Sequence, residues 1–100
     1  MITGSICKAA RAIVEISRSK LAERSGVEKR TIEMFERGIN TPDDEAIAAL
    51  RSTLEELGAV FLPEKGANGA GVRLKFSQSV TRRLATLEGE GGPTAKDDVP

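Results

Sequence analysis

The sequence predicts a mainly α-helical domain of four to five short helices, followed by a short C-terminal β-hairpin. Three observations predict it. Apolar residues recur at helical spacing up to Gly58, in runs punctuated by glycine and by Ser, Thr and Asp capping residues. From Gly71 to Phe76 the period changes to two. The apolar residues, 39% of the chain, are almost all aliphatic: aromatics are 3%, and Trp and Tyr are absent. A chain of 100 residues supports one small domain with modest apolar burial, here a core of Leu, Ile, Val and Ala.

The first helix is expected from Ser5 to Ile16, where Ile6, Ala9, Ala10, Ile13 and Ile16 recur at helical spacing and Thr3 or Ser5 can cap the start. Ser17 offers an N-cap for a second helix, Arg18 to Arg24, with Leu21 and Ala22 inward. Ser25-Gly26 ends it in a turn, glycine tolerating a left-handed backbone. A third helix runs from Lys29 to Arg37, anchored by Val27, Ile32 and Phe35 and stopped by Gly38. In Thr41-Pro42-Asp43-Asp44, Thr41 is expected to cap a fourth helix, with Pro42 in its first turn and Asp44 closing a capping box. Ile47, Leu50, Leu54 and Leu57 mark its buried stripe.

Residues 1–58 thus form the helical domain, and 59–76 form the hairpin. Ala59–Leu62 is a short apolar run, Pro63–Ala70 a flexible loop, and Gly71–Phe76 a half-buried strand. An isolated two-stranded hairpin is barely stable and leaves open edges, so it must pack on the helices and can pair with another subunit. Val60, Leu62, Val72, Leu74 and Phe76 are the candidate dimer residues. Residues 77–87 are expected as a short helix with Val80, Leu84 and Leu87 on one side, and 88–100 as a disordered tail rich in glycine and charge.

Chemistry for catalysis is missing. The chain has no histidine and one cysteine, Cys7, so no Ser-His pair, disulfide framework or cysteine-histidine zinc site can be assembled. Cys7 reads as a small buried residue. The glycines of residues 66–71 lack the lysine and following helix of a phosphate loop. No catalytic residue, metal ligand or cofactor is assigned. With no apolar run near 18 residues and no leader pattern, the expectation is a soluble cytoplasmic protein without membrane contact. The net charge of +0, from 15 basic and 15 acidic residues, leaves room only for a local positive face.

A helix of about seven residues, a glycine turn and a second helix of about nine match a helix-turn-helix, whose second helix enters the major groove of DNA. With Arg11, Ile16–Ala22, Ser25-Gly26-Val27, Thr31-Ile32, Glu36, Gly38 and Pro42 at their spacings, the chain resembles the Cro/repressor-like (XRE-type) helix-turn-helix family of bacteria and phages. The resemblance is to its small stand-alone regulators, covers about Met1 to Lys75, and implies a lambda-repressor-like fold. It further implies that Arg11 and Glu36 form a structural ion pair, and that Lys29, Arg30, Glu33 and Met34 face base edges. Lys or Arg can donate to guanine, Glu can accept from the cytosine amino group, and Met can touch the thymine methyl. Arg18, Lys20, Thr31 and Arg37 are the candidates for backbone contacts, which supply affinity without sequence information.

Three residues depart from the family pattern. Arg18 replaces a glutamine, Glu28 replaces a serine or threonine cap, and Glu15 replaces a frequent glycine before Ile16. From Ile16 to Arg37 there are six basic residues (18, 20, 24, 29, 30, 37) and four acidic ones (23, 28, 33, 36), so binding is expected to need a dimer. The expected function is a sequence-specific double-stranded DNA-binding transcriptional regulator, a repressor acting as a homodimer. The alternative is a protein-interaction module, antiactivator or antitoxin-like, that keeps the fold and takes a protein partner.

Overall fold

The computed structural model describes residues 1–76. The helix expected at 77–87 and the tail at 88–100 lie outside the described residues. Those described form a small, mainly helical domain with a short two-stranded antiparallel sheet. The order is α1 (Gly4–Ile13), α2 (Arg18–Ser25), α3 (Lys29–Glu36), α4 (Asp44–Glu56), β1 (Ala59–Leu62) and β2 (Gly71–Leu74). No helix among them is long and apolar enough to cross a membrane.

Capping chemistry sets most boundaries. Thr3 Oγ1 accepts from the Ile6 amide at 3.2 Å, and Ser17 Oγ from the Lys20 amide at 3.0 Å. The first helix ends three residues before the expected Ile16. Glu15 takes a left-handed φ of 59°, while the Ile16 amide donates to the Arg11 carbonyl and the Glu15 amide to that of Ala12. That is a Schellman ending, which glycine ordinarily announces; here glutamate occupies the left-handed position. Gly38, with φ 74°, ends α3 by the same pair of bonds, to Met34 and Phe35. The start of α4 also differs from expectation: Asp43 is the cap, its Oδ1 accepting from the Ala46 amide at 2.8 Å. Thr41 and Pro42 therefore precede the helix, and Asp44 is its first residue. Both Thr41 and Asp43 suit a cap, but a carboxylate also complements the helix dipole.

Leu21, Ile32, Leu50, Leu54 and Cys7 are fully buried, with Ala10, Val27, Phe35, Ile47 and Ala59 beside them. The core is aliphatic, as the composition requires. Thr53 is buried too, its hydroxyl donating to the Ala49 carbonyl at 2.9 Å. Where α1 meets α3, the approach is close. A Cβ on Gly4 would overlap the Phe35 carbonyl oxygen and stand 2.7 Å from its carbon. Gly4 is thus needed for its missing side chain.

The hairpin register is Ala59↔Leu74, Val60↔Arg73, Phe61↔Val72 and Leu62↔Gly71. Opposed residues share a face. Ala59, Phe61, Val72 and Leu74 therefore face the helices, and Phe61 and Val72 pack on the core. Val60, Leu62 and Arg73 lie on the other face. The strand expected to reach Phe76 stops at Leu74, although the Lys75 amide still reaches the Gly58 carbonyl at 2.7 Å. The loop expected to be flexible contains a tight turn, closed by reciprocal backbone bonds of 2.9 Å between Lys65 and Asn68.

Candidate nucleic-acid interface

The α2–α3 unit is held from beneath by apolar side chains. Leu21 of α2 and Ile32 and Phe35 of α3 are buried, as is Val27 in the connecting turn, where Gly26 adopts φ 81°. That anchoring turns the opposite side of α3 outward. Lys29 and Arg30 are exposed, whereas Thr31, Glu33 and Met34 are half-buried. Successive helical side chains turn by about 100°, so Met34 stands about 40° to one side of Arg30 and Glu33 about 60° to the other. Arg30, Thr31 and Met34 line a shallow recess completed by Glu28, Asn40 and Pro42.

Among the described residues, neither Lys29 nor Arg30 forms an ion pair. Both cations occupy the first turn of α3, which contains no acidic residue, although the helix dipole disfavours positive charge there. Glu28 precedes them as N-cap but makes no side-chain capping bond. Other candidates carry partners. Lys20 meets Glu23 at 3.3 Å and Arg37 meets Glu33 at 3.3 Å, both exposed pairs. Such pairs contribute about 0–1 kcal/mol, so Lys20 and Arg37 can exchange their carboxylate for a phosphate at little cost.

Glu36 has a different environment. Its side chain is wholly buried, and Arg11 of α1 grips it with both arms, Nε to Oε2 at 2.8 Å and Nη2 to Oε1 at 2.9 Å. Arg18, expected at DNA phosphate, donates its Nε to Glu36 Oε1 at 3.0 Å. Cys7 Sγ adds a weak bond to Oε2 at 3.8 Å. Burial alone pushes the Glu36 carboxyl up, but the hydrogen bonds and charges of Arg11 and Arg18 prevail and hold it below its ordinary value. The Cys7 thiol is pushed up to about 12, first by burial and then by the Glu36 charge. Hydrogen bonding to Glu36 raises the already high pKa of Arg11.

Sequence reasoning missed two of these features. The Cys7–Glu36 contact spans 29 positions and carries no local signal. Nor does Gly4 carry one, since a glycine at the start of a helical run is tolerated there whether or not another backbone approaches it. The five candidate dimer residues do not form one surface: Val72 packs on the core and Leu74 shares its face, because a two-residue period sends alternate side chains to opposite faces. Val60 and Leu62 lie on the outer face, and Leu62 and Phe76 are exposed. Among the described residues, no group of three His, Cys, Asp or Glu side chains could hold a metal ion. No protein-family model and no curated protein matches the chain.

Proposed function

We propose that the chain is a sequence-specific double-stranded DNA-binding transcriptional regulator of the helix-turn-helix type, a repressor acting as a homodimer. One observation carries this reading. The chain spends its buried contacts anchoring α3 through Ile32 and Phe35, and leaves Lys29 and Arg30 exposed at the end where the dipole disfavours them. A local rule broken without structural return points to a functional demand, and phosphate or base edges supply it. Two such helices, one per subunit, would address half-sites about 34 Å apart. The outer hairpin face at Val60 and Leu62, the exposed Phe76 and the open strand edges are the surface available for dimerisation.

Selection of bound sites from random duplex DNA, repeated with Lys29→Ala and Arg30→Ala, tests the proposal. Enrichment of one motif, altered or abolished by these changes, supports it. No enrichment at low salt by the folded protein overturns it. Sedimentation at micromolar concentration tests the dimer, and a one-chain mass overturns that part.

One observation favours the second reading, a protein-interaction module of antiactivator or antitoxin-like type. Glu28 and Glu33 flank the two free cations, and Glu33 already engages Arg37. A partner segment of mixed charge could set acidic side chains against Lys29 and Arg30 and basic ones against Glu28 and Glu33, whereas the uniformly anionic phosphates of DNA would meet like charge at both glutamates.

A further inference from the structure

Glu36 joins three helices. Arg11 alone satisfies both of its oxygens, with bonds of 2.8 and 2.9 Å, so Arg18 is not needed to neutralise it. Nor does α2 need a cation as its first residue, where the dipole opposes one. Yet the Arg18 side chain turns inward, 30% exposed, and places its Nε 3.0 Å from Glu36 Oε1. Among the described residues it ties the start of α2 to the end of α3, helices whose Leu21, Ile32 and Phe35 share the apolar core. A planar guanidinium held at Nε fixes direction as well as distance.

We propose that Arg18 is a positioning residue: through Glu36 it sets the angle between α2 and α3, and thereby aims Lys29 and Arg30, instead of serving as a phosphate ligand. The second half of this proposal rests on the DNA-binding reading; the first half does not.

Two variants separate the roles. Arg18→Lys keeps the charge a phosphate would attract but loses the guanidinium fork, whereas Arg18→Ala loses both; Ser19→Ala, an exposed change on the same helix, is the control. Without DNA, NMR titration of the Glu36 carboxyl should show a raised pKa in both Arg18 variants, and amide exchange in the α2–α3 turn should quicken, with the control unchanged. With a random-sequence duplex, Arg18→Ala should weaken binding while leaving the salt slope unaltered. A lost phosphate contact would lower that slope by about one. On a selected duplex, losses from Arg18→Ala and Lys29→Ala should be non-additive by about fivefold or more. Unchanged Glu36 titration and exchange overturn the clamp. A slope lowered by about one and restored by Arg18→Lys makes Arg18 a phosphate ligand and overturns the proposal. A folded wild-type chain that binds no duplex refutes the proposed function alone, and the titration then still decides whether Arg18 sets the α2–α3 angle.

Discussion

Replacing Glu36 with glutamine preserves the shape of a wholly buried side chain and removes its charge. Two guanidiniums are then left facing a neutral amide, Arg11 with 16% of its side chain exposed and Arg18 with 30%. Stranding a buried charge costs about 3–5 kcal/mol. Both arginines reach some solvent, so the lower end applies, about 3 kcal/mol. At ~0.05–0.15 kcal/mol per residue the described domain has roughly 4–11 kcal/mol in total, so this one change removes a large part of it. Urea unfolding followed by far-UV circular dichroism is the assay, because the chain has no Trp or Tyr for fluorescence. The pH dependence supplies a second reading. The Glu36 pKa is lower folded than unfolded, so its stabilisation is fully present above the ordinary value of 4.5 and is lost as pH falls through the folded value. The gap between wild type and Glu36→Gln should therefore close on acidification. A loss below about 1 kcal/mol at neutral pH, the range of an exposed pair, would refute the reasoning.

Two glycines should respond differently to alanine. Gly26→Ala meets open space and carries only left-handed strain, about 1–2 kcal/mol. Gly4→Ala gains helix propensity but overlaps the Phe35 carbonyl, so α1 must shift, at a net cost of about 1–3 kcal/mol; an increase in the urea midpoint would count against it. Glu28→Ser should restore a capping bond, stabilising the fold by about 0.5–1 kcal/mol, and should tighten duplex binding by removing a negative charge beside Lys29; looser binding contradicts the proposed interface. Cys7 should resist alkylation at mildly alkaline pH until the chain is unfolded. Its raised pKa also means that stability falls as pH rises between 9.0 and about 12, since only the unfolded thiol ionises there; rapid labelling of the native protein would show the thiol is not enclosed.

Elements with local punctuation were legible in the sequence. Ser17, Gly26 and Gly38 set the ends of α2 and α3 through bonds made within a few residues. Where punctuation was ambiguous or missing, boundaries slipped: Thr41 and Asp43 are both competent caps, and Glu15 holds a left-handed turn that no glycine announces. The aliphatic core followed from composition. The hairpin faces did not, because an alternating pattern shows that two faces exist without showing which one meets the helices.

Charge counting shows the same limit at the candidate site. Between Ile16 and Arg37 the surplus is two positive charges, and the sequence spreads them evenly. Pairing in three dimensions localises them. Arg18 shares the one buried carboxylate of Glu36 with Arg11, so that cluster keeps a single positive charge, while Lys20 with Glu23 and Arg37 with Glu33 cancel on the surface. What remains is Arg24, Lys29 and Arg30 against Glu28, all within the end of α2, the turn and the first turn of α3. A neutral chain can thus present a positive patch at the leading end of one helix. Coulomb attraction between exposed charges is screened within about 8–10 Å at physiological salt, so an approaching anion responds to that patch more than to the net charge. Because Glu28 sits inside the patch, the formal charge of +0 argues less strongly against DNA binding than this one side chain does.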